Sequence, residues 1–192
     1  MLNQRDENIL LLLKKFDFLT RDQLNKHFNL GLKANTNRVL RELSEYLLNV
    51  REGYQTIYYL SAKGRRYVDC EKVRKKGNHM HHVMRNEMWF HYSCPSDWKN
   101  EIKISDGTTT VIVDAMFTHA WRMHFLEVDH KQNMKENRNK IKRYKVLMSS
   151  LESKLGYTPT IVWLTTTEYR KNQLAKECEG MQFKIFTVDD IK

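Results

Sequence analysis

The sequence predicts an α/β (α+β) chain built in two parts, a small helical module closed by a β-hairpin over residues 1–76 and a mixed sheet domain over residues 77–192. Two observations carry this expectation. Apolar residues recur at helical spacing three times before residue 47 and then give way to two short alternating runs. Beyond Trp98 the rhythm changes again, to strands and helices in the order β-β-β-α-β-α-β. With 192 residues, each part is long enough to bury its own modest core. The formal net charge of +10 favours polyanions such as nucleic acid, and an acidic membrane surface would answer it equally well. No apolar run approaches the roughly 20 residues needed to span a bilayer. Cys70, Cys94 and Cys178 are odd in number and widely spaced, so no disulfide framework is expected and a reducing, cytoplasmic setting is.

The first helix is expected over residues 3–15, with Ile9, Leu10, Leu12, Leu13 and Phe16 inward. Thr20 then stands as an N-cap with Gln23 three residues later, the spacing of a capping box, ahead of Leu24, His27 and Phe28. Gly31 supplies the turn into a third helix over residues 33–47, whose inner stripe is Thr36, Val39, Leu40, Leu43 and Leu47. Two strands, over residues 48–50 and 54–60, flank the turn Arg51-Glu52-Gly53. Three helices followed by such a hairpin make a winged helix-turn-helix. The segment from Tyr58 to Tyr67 also resembles the exit from the wing in the MarR-like and PadR-like winged-helix families. In that motif the third helix enters the major groove, where Asn pairs with adenine edges and Arg with guanine, while the wing reaches backbone or minor groove. Double-stranded DNA is therefore the expected partner, through Lys33, Asn35, Asn37, Arg38 and Arg41 on the helix and Arg51 and Tyr54 on the wing.

The basic run Lys72, Arg74, Lys75 and Lys76 ends at Gly77 and marks the expected boundary. A helix follows over residues 78–91, with Met80, Val83, Met84 and Met88 as its inner stripe and Glu87 falling on that stripe. His91 and Cys94 form only half of a zinc ligand pair, and no second pair stands at suitable spacing. The histidines of this helix are expected to be partly buried or hydrogen-bonded instead.

Strands are expected over residues 101–105, 109–118 and 123–129, then a long helix over 134–155 whose stripe is Ile141, Tyr144, Leu147, Met148, Leu151 and Leu155. A buried strand at 160–165, a helix at 168–179 and a strand at 183–188 complete the order αβββαβαβ. That order resembles the restriction-endonuclease-like, or PD-(D/E)xK, nucleases. Asp114 falls in the second strand, and Glu127-Val128-Asp129-His130-Lys131 ends the third. Strand alternation puts Glu127, Asp129 and Lys131 on one face. Such acids hold Mg²⁺ or Mn²⁺, here between Asp114 and Asp129, while the lysine orients the attacking water; Glu87 is the candidate auxiliary acid.

Two alignments are open. With Asp129-x-Lys131 as the signature, Asp114, Asp129 and Lys131 make a complete catalytic set. With Glu127 as the acid, Asp129 stands where the lysine belongs. Asp114-Ala115, Phe125-Leu126-Glu127-Val128-Asp129 and Lys140-Ile141-Lys142-Arg143-Tyr144 together resemble the replication-relaxation family of plasmid and mobile-element proteins, although Val113 stands where a proline commonly precedes the acid. The resemblance implies a DNA-binding protein of a plasmid, phage or other mobile element, acting in replication, DNA relaxation or transfer. Its partners would be DNA, a second copy of the chain, and replication or conjugation proteins, with no membrane. The nuclease-like domain is then either a metal-dependent nicking endonuclease or a degenerate scaffold. The alternative is a winged-helix transcriptional regulator that dimerises through its C-terminal domain. Lys135, Arg138, Lys142, Arg143 and Lys145 on the long helix suit phosphate contact in every case.

Overall fold

The computed structural model describes residues 2–71 and 78–191. The basic run at 72–76 and Gly77, with the boundary expected there, lies outside the described residues. The chain divides into two units, Met1–Asn86 and Glu87–Lys192.

In the first unit, helix α1 (Gln4–Phe16) is capped by Asn3, whose side chain accepts the Asp6 N–H. Strand β1 (Leu19–Thr20) leads into α2 (Arg21–Phe28), where Thr20 and Gln23 form the expected reciprocal capping box. Helix α3 (Lys33–Glu42) is followed by β2 (Leu47–Glu52), β3 (Gln55–Leu60) and the short α4 (Ala62–Tyr67). The three strands form an antiparallel sheet in the order β1-β3-β2. Three helices and then the β2–β3 hairpin follow in the order the sequence predicts.

Two details depart from expectation. Helix α3 stops at Glu42, five residues early, because Leu47 pairs with Leu60 as the first rung of the hairpin. The segment between is drawn into tight turns, with Ser44 N–H to the Arg41 carbonyl and Tyr46 N–H to that of Leu43. The carbonyls of Glu45 and Tyr46 then accept from the Ser61 hydroxyl and N–H, at 2.7 and 2.8 Å. Strand β1, at two residues, is too short to leave a period in the sequence.

Helix α5 (His79–His91) carries the division between the units. Its first turns belong to the first unit because their polar groups satisfy that unit's backbone. Gln23 Nε2 donates to the Val83 carbonyl at 3.0 Å, and Arg85 and Asn86 both donate to the Phe16 carbonyl, at 3.1 and 3.2 Å. These bonds tie residues up to Asn86 to the first unit.

The second unit is one sheet in the order β4-β5-β6-β7-β8: β4 (Lys99–Ser105), β5 (Thr110–His119), β6 (Arg122–Asp129), β7 (Thr160–Thr165) and β8 (Phe183–Thr187). Strands β4, β5 and β6 pair antiparallel, while β6-β7 and β7-β8 are parallel and joined through helices α6 (Met134–Leu155) and α7 (Glu168–Glu177). All six residues of β7 are buried, as a central parallel strand requires. Ile141, Tyr144, Leu147 and Met148 of α6 pack with Val111, Val113, Phe125, Ile161 and Trp163 of the sheet and Leu174 of α7. Elsewhere in the unit an aromatic cluster of Tyr92, Trp98, Phe117 and His124 packs together, with Tyr92 and Phe117 rings 4.6 Å apart. With α5 ahead of it, the element order is αβββαβαβ, as the sequence predicts.

Candidate active site

The site is set by where β5 and β6 part. Their last paired residues towards the β6 C-terminus are Ala115 and Leu126, so the next step of the register brings Asp114 opposite Glu127. There the strands no longer bond to each other. Asp114 takes over: its Oδ2 accepts the Val128 N–H at 2.7 Å.

Glu127 is 1 % exposed, beneath α6. Its Oε2 is paired with the Lys140 ammonium and its Oε1 accepts the Tyr144 hydroxyl, both contacts being short. Lys140 and Tyr144 stand four apart on α6 and so share a helix face. Burial is the largest influence on the Glu127 carboxyl and pushes it up to about 8; the Asp114 charge adds to that rise, and the Lys140 ammonium opposes it. The Tyr144 hydroxyl is driven well above its ordinary value, by burial first and then by the charge of Glu127.

Asp129 has other partners. Arg170 grips it with two hydrogen bonds, both at 2.6 Å, Asn137 Nδ2 donates to it at 2.9 Å, and the Thr165 hydroxyl donates at 2.8 Å. Burial pushes this carboxyl up, but those hydrogen bonds outweigh burial and hold it below the ordinary aspartate value. Lys131 lies beyond the end of β6, on an exposed bend, and among the described residues it makes no hydrogen bond or ion pair. Strand alternation therefore does not extend to it. Glu87 is half-buried on α5 and is not among the charges that act most on Glu127.

The five sequence-derived candidates thus separate. Asp114 and Glu127 come together, Asp129 is committed to Arg170, and Lys131 is in solvent. Sequence reasoning assigned no role to Asn137, Thr165 or Arg170, and singled out Lys140 and Tyr144 only as the ends of a family-like segment, with Tyr144 also on the inner stripe of its helix. That segment was one signal, and a phenol on an apolar stripe, which needs a partner for its hydroxyl, was another. Arg170 left none.

Two carboxylates across a strand junction are hard oxygen ligands. Among the described residues no group of three or more His, Cys, Asp or Glu is placed to hold a metal ion. The pair fits an ion such as Mg²⁺, which is commonly held by one or two carboxylates and completes its shell with water and substrate phosphate. It does not fit a closed protein cage. Burial makes a charged Glu127 costly, and the Lys140 ammonium beside it opposes that cost, as the Arg170 guanidinium does for Asp129.

In the first unit, Lys33, Asn35, Asn37, Arg38 and Arg41 are all exposed on α3. Arg38 donates to Asn35 at 2.8 Å and to Glu42 at 2.6 Å, and Asn35 in turn donates to the Leu30 carbonyl at 2.7 Å. On the wing Arg51 is exposed and Tyr54 is 98 % exposed. Gly53 between them has φ +58°, the turn conformation glycine adopts without strain.

A model of the replication-relaxation family matches residues 10–161. No curated protein matches the chain. Among solved structures, the small subunit of the heterodimeric restriction endonuclease R.BspD6I is 12 % identical with a TM-score of 0.37, over 55 % of this chain and 63 % of that one. Protein VC1899 from Vibrio cholerae is 14 % identical with a TM-score of 0.44, over 97 % and 47 %. A repair endonuclease from Pyrococcus abyssi is 19 % identical with a TM-score of 0.34, over 72 % and 54 %. The aligned region spans about half to 63 % of the length of these proteins.

Proposed function

The chain belongs to the replication-relaxation family, and from that premise we propose that it acts on DNA, with the first unit holding a duplex and the second nicking it. The observation that carries the reading is the meeting of Asp114 and Glu127 where β5 and β6 part. Asp114 and Glu127 would hold a Mg²⁺ or Mn²⁺ ion, which when bound lowers the pKa of a water and offsets charge on the phosphate. The chain's own groups do the rest. Val128 N–H fixes the Asp114 carboxylate, Tyr144 fixes one oxygen of Glu127, and the core contacts of α6 hold both in register with the sheet. Lys33, Asn37 and Arg41 on α3, with Arg38 once it releases Asn35, supply helix contacts to DNA, and Arg51 and Tyr54 supply the wing contacts. A role in replication, relaxation or transfer of a mobile element follows from the family and is part of the same proposal.

A second reading, binding without cleavage, is favoured by the closure of Glu127, both of whose oxygens are engaged. In it the C-terminal domain serves as a scaffold or a dimer contact, as in a transcriptional regulator. Supercoiled plasmid separates the two. With Mg²⁺ or Mn²⁺ the wild type is expected to produce open circles and Asp114→Asn to lose at least a hundredfold in rate. Equal and negligible conversion by both overturns the nicking reading and leaves the scaffold.

A further inference from the structure

We propose that Lys140, presented by α6, is the catalytic lysine of the Asp114–Glu127 site; this rests on the nicking reading above. The short (D/E)xK spacing would draw that lysine from strand β6 itself, two residues after the acid. After Glu127 that place is taken by Asp129, which is tied to Arg170, Asn137 and Thr165. After Asp129 it is Lys131, exposed past the strand end and without a hydrogen bond or ion pair among the described residues. The strand therefore brings no ammonium to the acids, and the helix does. Lys140 Nζ is paired with Glu127 Oε2, and its side chain remains 18 % exposed, so one end of it touches the acid while solvent still reaches it.

Its placement is rigid for a physical reason. Ile141, Tyr144, Leu147 and Met148 lock α6 onto the sheet, and Tyr144, one turn along, pins the other oxygen of the same carboxylate. A site group carried by a packed helix is held more closely than one on an exposed bend. The chemistry is hydrolysis of a phosphodiester. Water adds through oxygen to phosphorus and gives its proton to solvent, the bond from phosphorus to one ester oxygen breaks, and that oxygen takes up a proton and leaves as an alcohol. Lys140 donates a hydrogen bond to a non-bridging oxygen as negative charge gathers there, the contribution a positioned cation makes only in the transition state.

Two readouts on the full chain test this: plasmid nicking, and binding of Mn²⁺ alone measured by electron paramagnetic resonance. Lys140→Met is expected to slow nicking on the order of 100-fold and to tighten Mn²⁺ binding about tenfold, because the ammonium that shares Glu127 with the metal is gone. Lys131→Met is expected to match the wild type in both. Should Lys140→Met fail to fold, Lys140→Gln keeps a hydrogen bond to Glu127 and is expected to show the same pair of changes. Nicking by the wild type that survives either Lys140 substitution overturns the role of Lys140 while the nicking reading stands. So does nicking that is lost in Lys131→Met, or Mn²⁺ binding that Lys140 substitution leaves unchanged. A wild type that binds Mn²⁺ but never nicks overturns the nicking reading and the catalytic role with it.

Discussion

Glu127 and Asp129 lie two residues apart on one strand and face the same helices, yet their environments drive them in opposite directions. Glu127 is buried with one ammonium and one phenol and is pushed up to about 8. Asp129 is equally buried, but a bidentate guanidinium and two further donors hold it down. Sequence alternation could place both on one face; it could not say which would be neutralised. The deciding partner, Arg170, is 41 residues away in the chain, and no period or motif links the two. A structural role for Asp129 makes a clear prediction. Asp129→Ala strands Arg170 and is expected to lower unfolding free energy by about 3 kcal/mol, as breaking a buried ion pair does, read by urea titration at pH 7. Because the folded Asp129 carboxyl sits below its ordinary value of 3.8, its contribution is present above that pH and is lost as pH falls through the folded value. The gap between wild type and variant should therefore narrow below pH 3.8. A gap that is small at pH 7, or that widens in acid, contradicts the latch.

At the scale of elements, what the sequence made legible is what periodicity and capping encode. The capping box at Thr20 and Gln23, the long α6 and the αβββαβαβ order all stand where the pattern put them. The end of α3 does not, because the helical stripe through Leu43 and Leu47 continues unbroken while the tertiary pairing of Leu47 with Leu60 cuts the helix short. That junction has a pivot in Gly64, where a Cβ would stand 2.2 Å from the Tyr46 carbonyl oxygen. The obstacle is backbone that is itself bonded to Ser61 N–H, so it cannot give way. Gly64→Ala is expected to destabilise by about 3 kcal/mol or more, at the upper end of overpacking. Gly156→Ala, at the left-handed C-cap of α6 with φ +74° and open space around it, should lose only about 1 kcal/mol. Equal losses in thermal or urea melts would refute this view of the α3–α4 junction.

At the scale of the molecule, the chain carries a net charge of +10 and presents exposed basic side chains on α3 and on α6. Composition already pointed to a polyanion, and the order of helices and hairpin pointed to DNA; the contacts themselves are not written in composition. Arg38 shows why: it is engaged by Asn35 and Glu42, and under the proposed function it would have to exchange those hydrogen bonds for phosphate or base. Arg38→Ala with Arg41→Ala is expected to weaken duplex binding at least tenfold and to reduce the slope of log K against log salt by about 2, near 0.9 for each phosphate no longer neutralised. An unchanged slope in fluorescence anisotropy would remove α3 from the interface.

The site was only half legible for a similar reason. Asp114 and Glu127 stand in strands whose register the pattern fixes, whereas their ammonium comes from a helix 13 residues beyond Glu127. The central claim is that chemistry belongs to Asp114 and Glu127 and not to Asp129 and Lys131. It is tested most directly by single-turnover nicking of plasmid in Mg²⁺ by Glu127→Gln and Asp129→Asn, each assayed well below its melting temperature. The account predicts a loss of at least about a hundredfold for Glu127→Gln and a rate within a few-fold of wild type for Asp129→Asn. The reverse pattern, with Glu127→Gln active and Asp129→Asn inert, would contradict it.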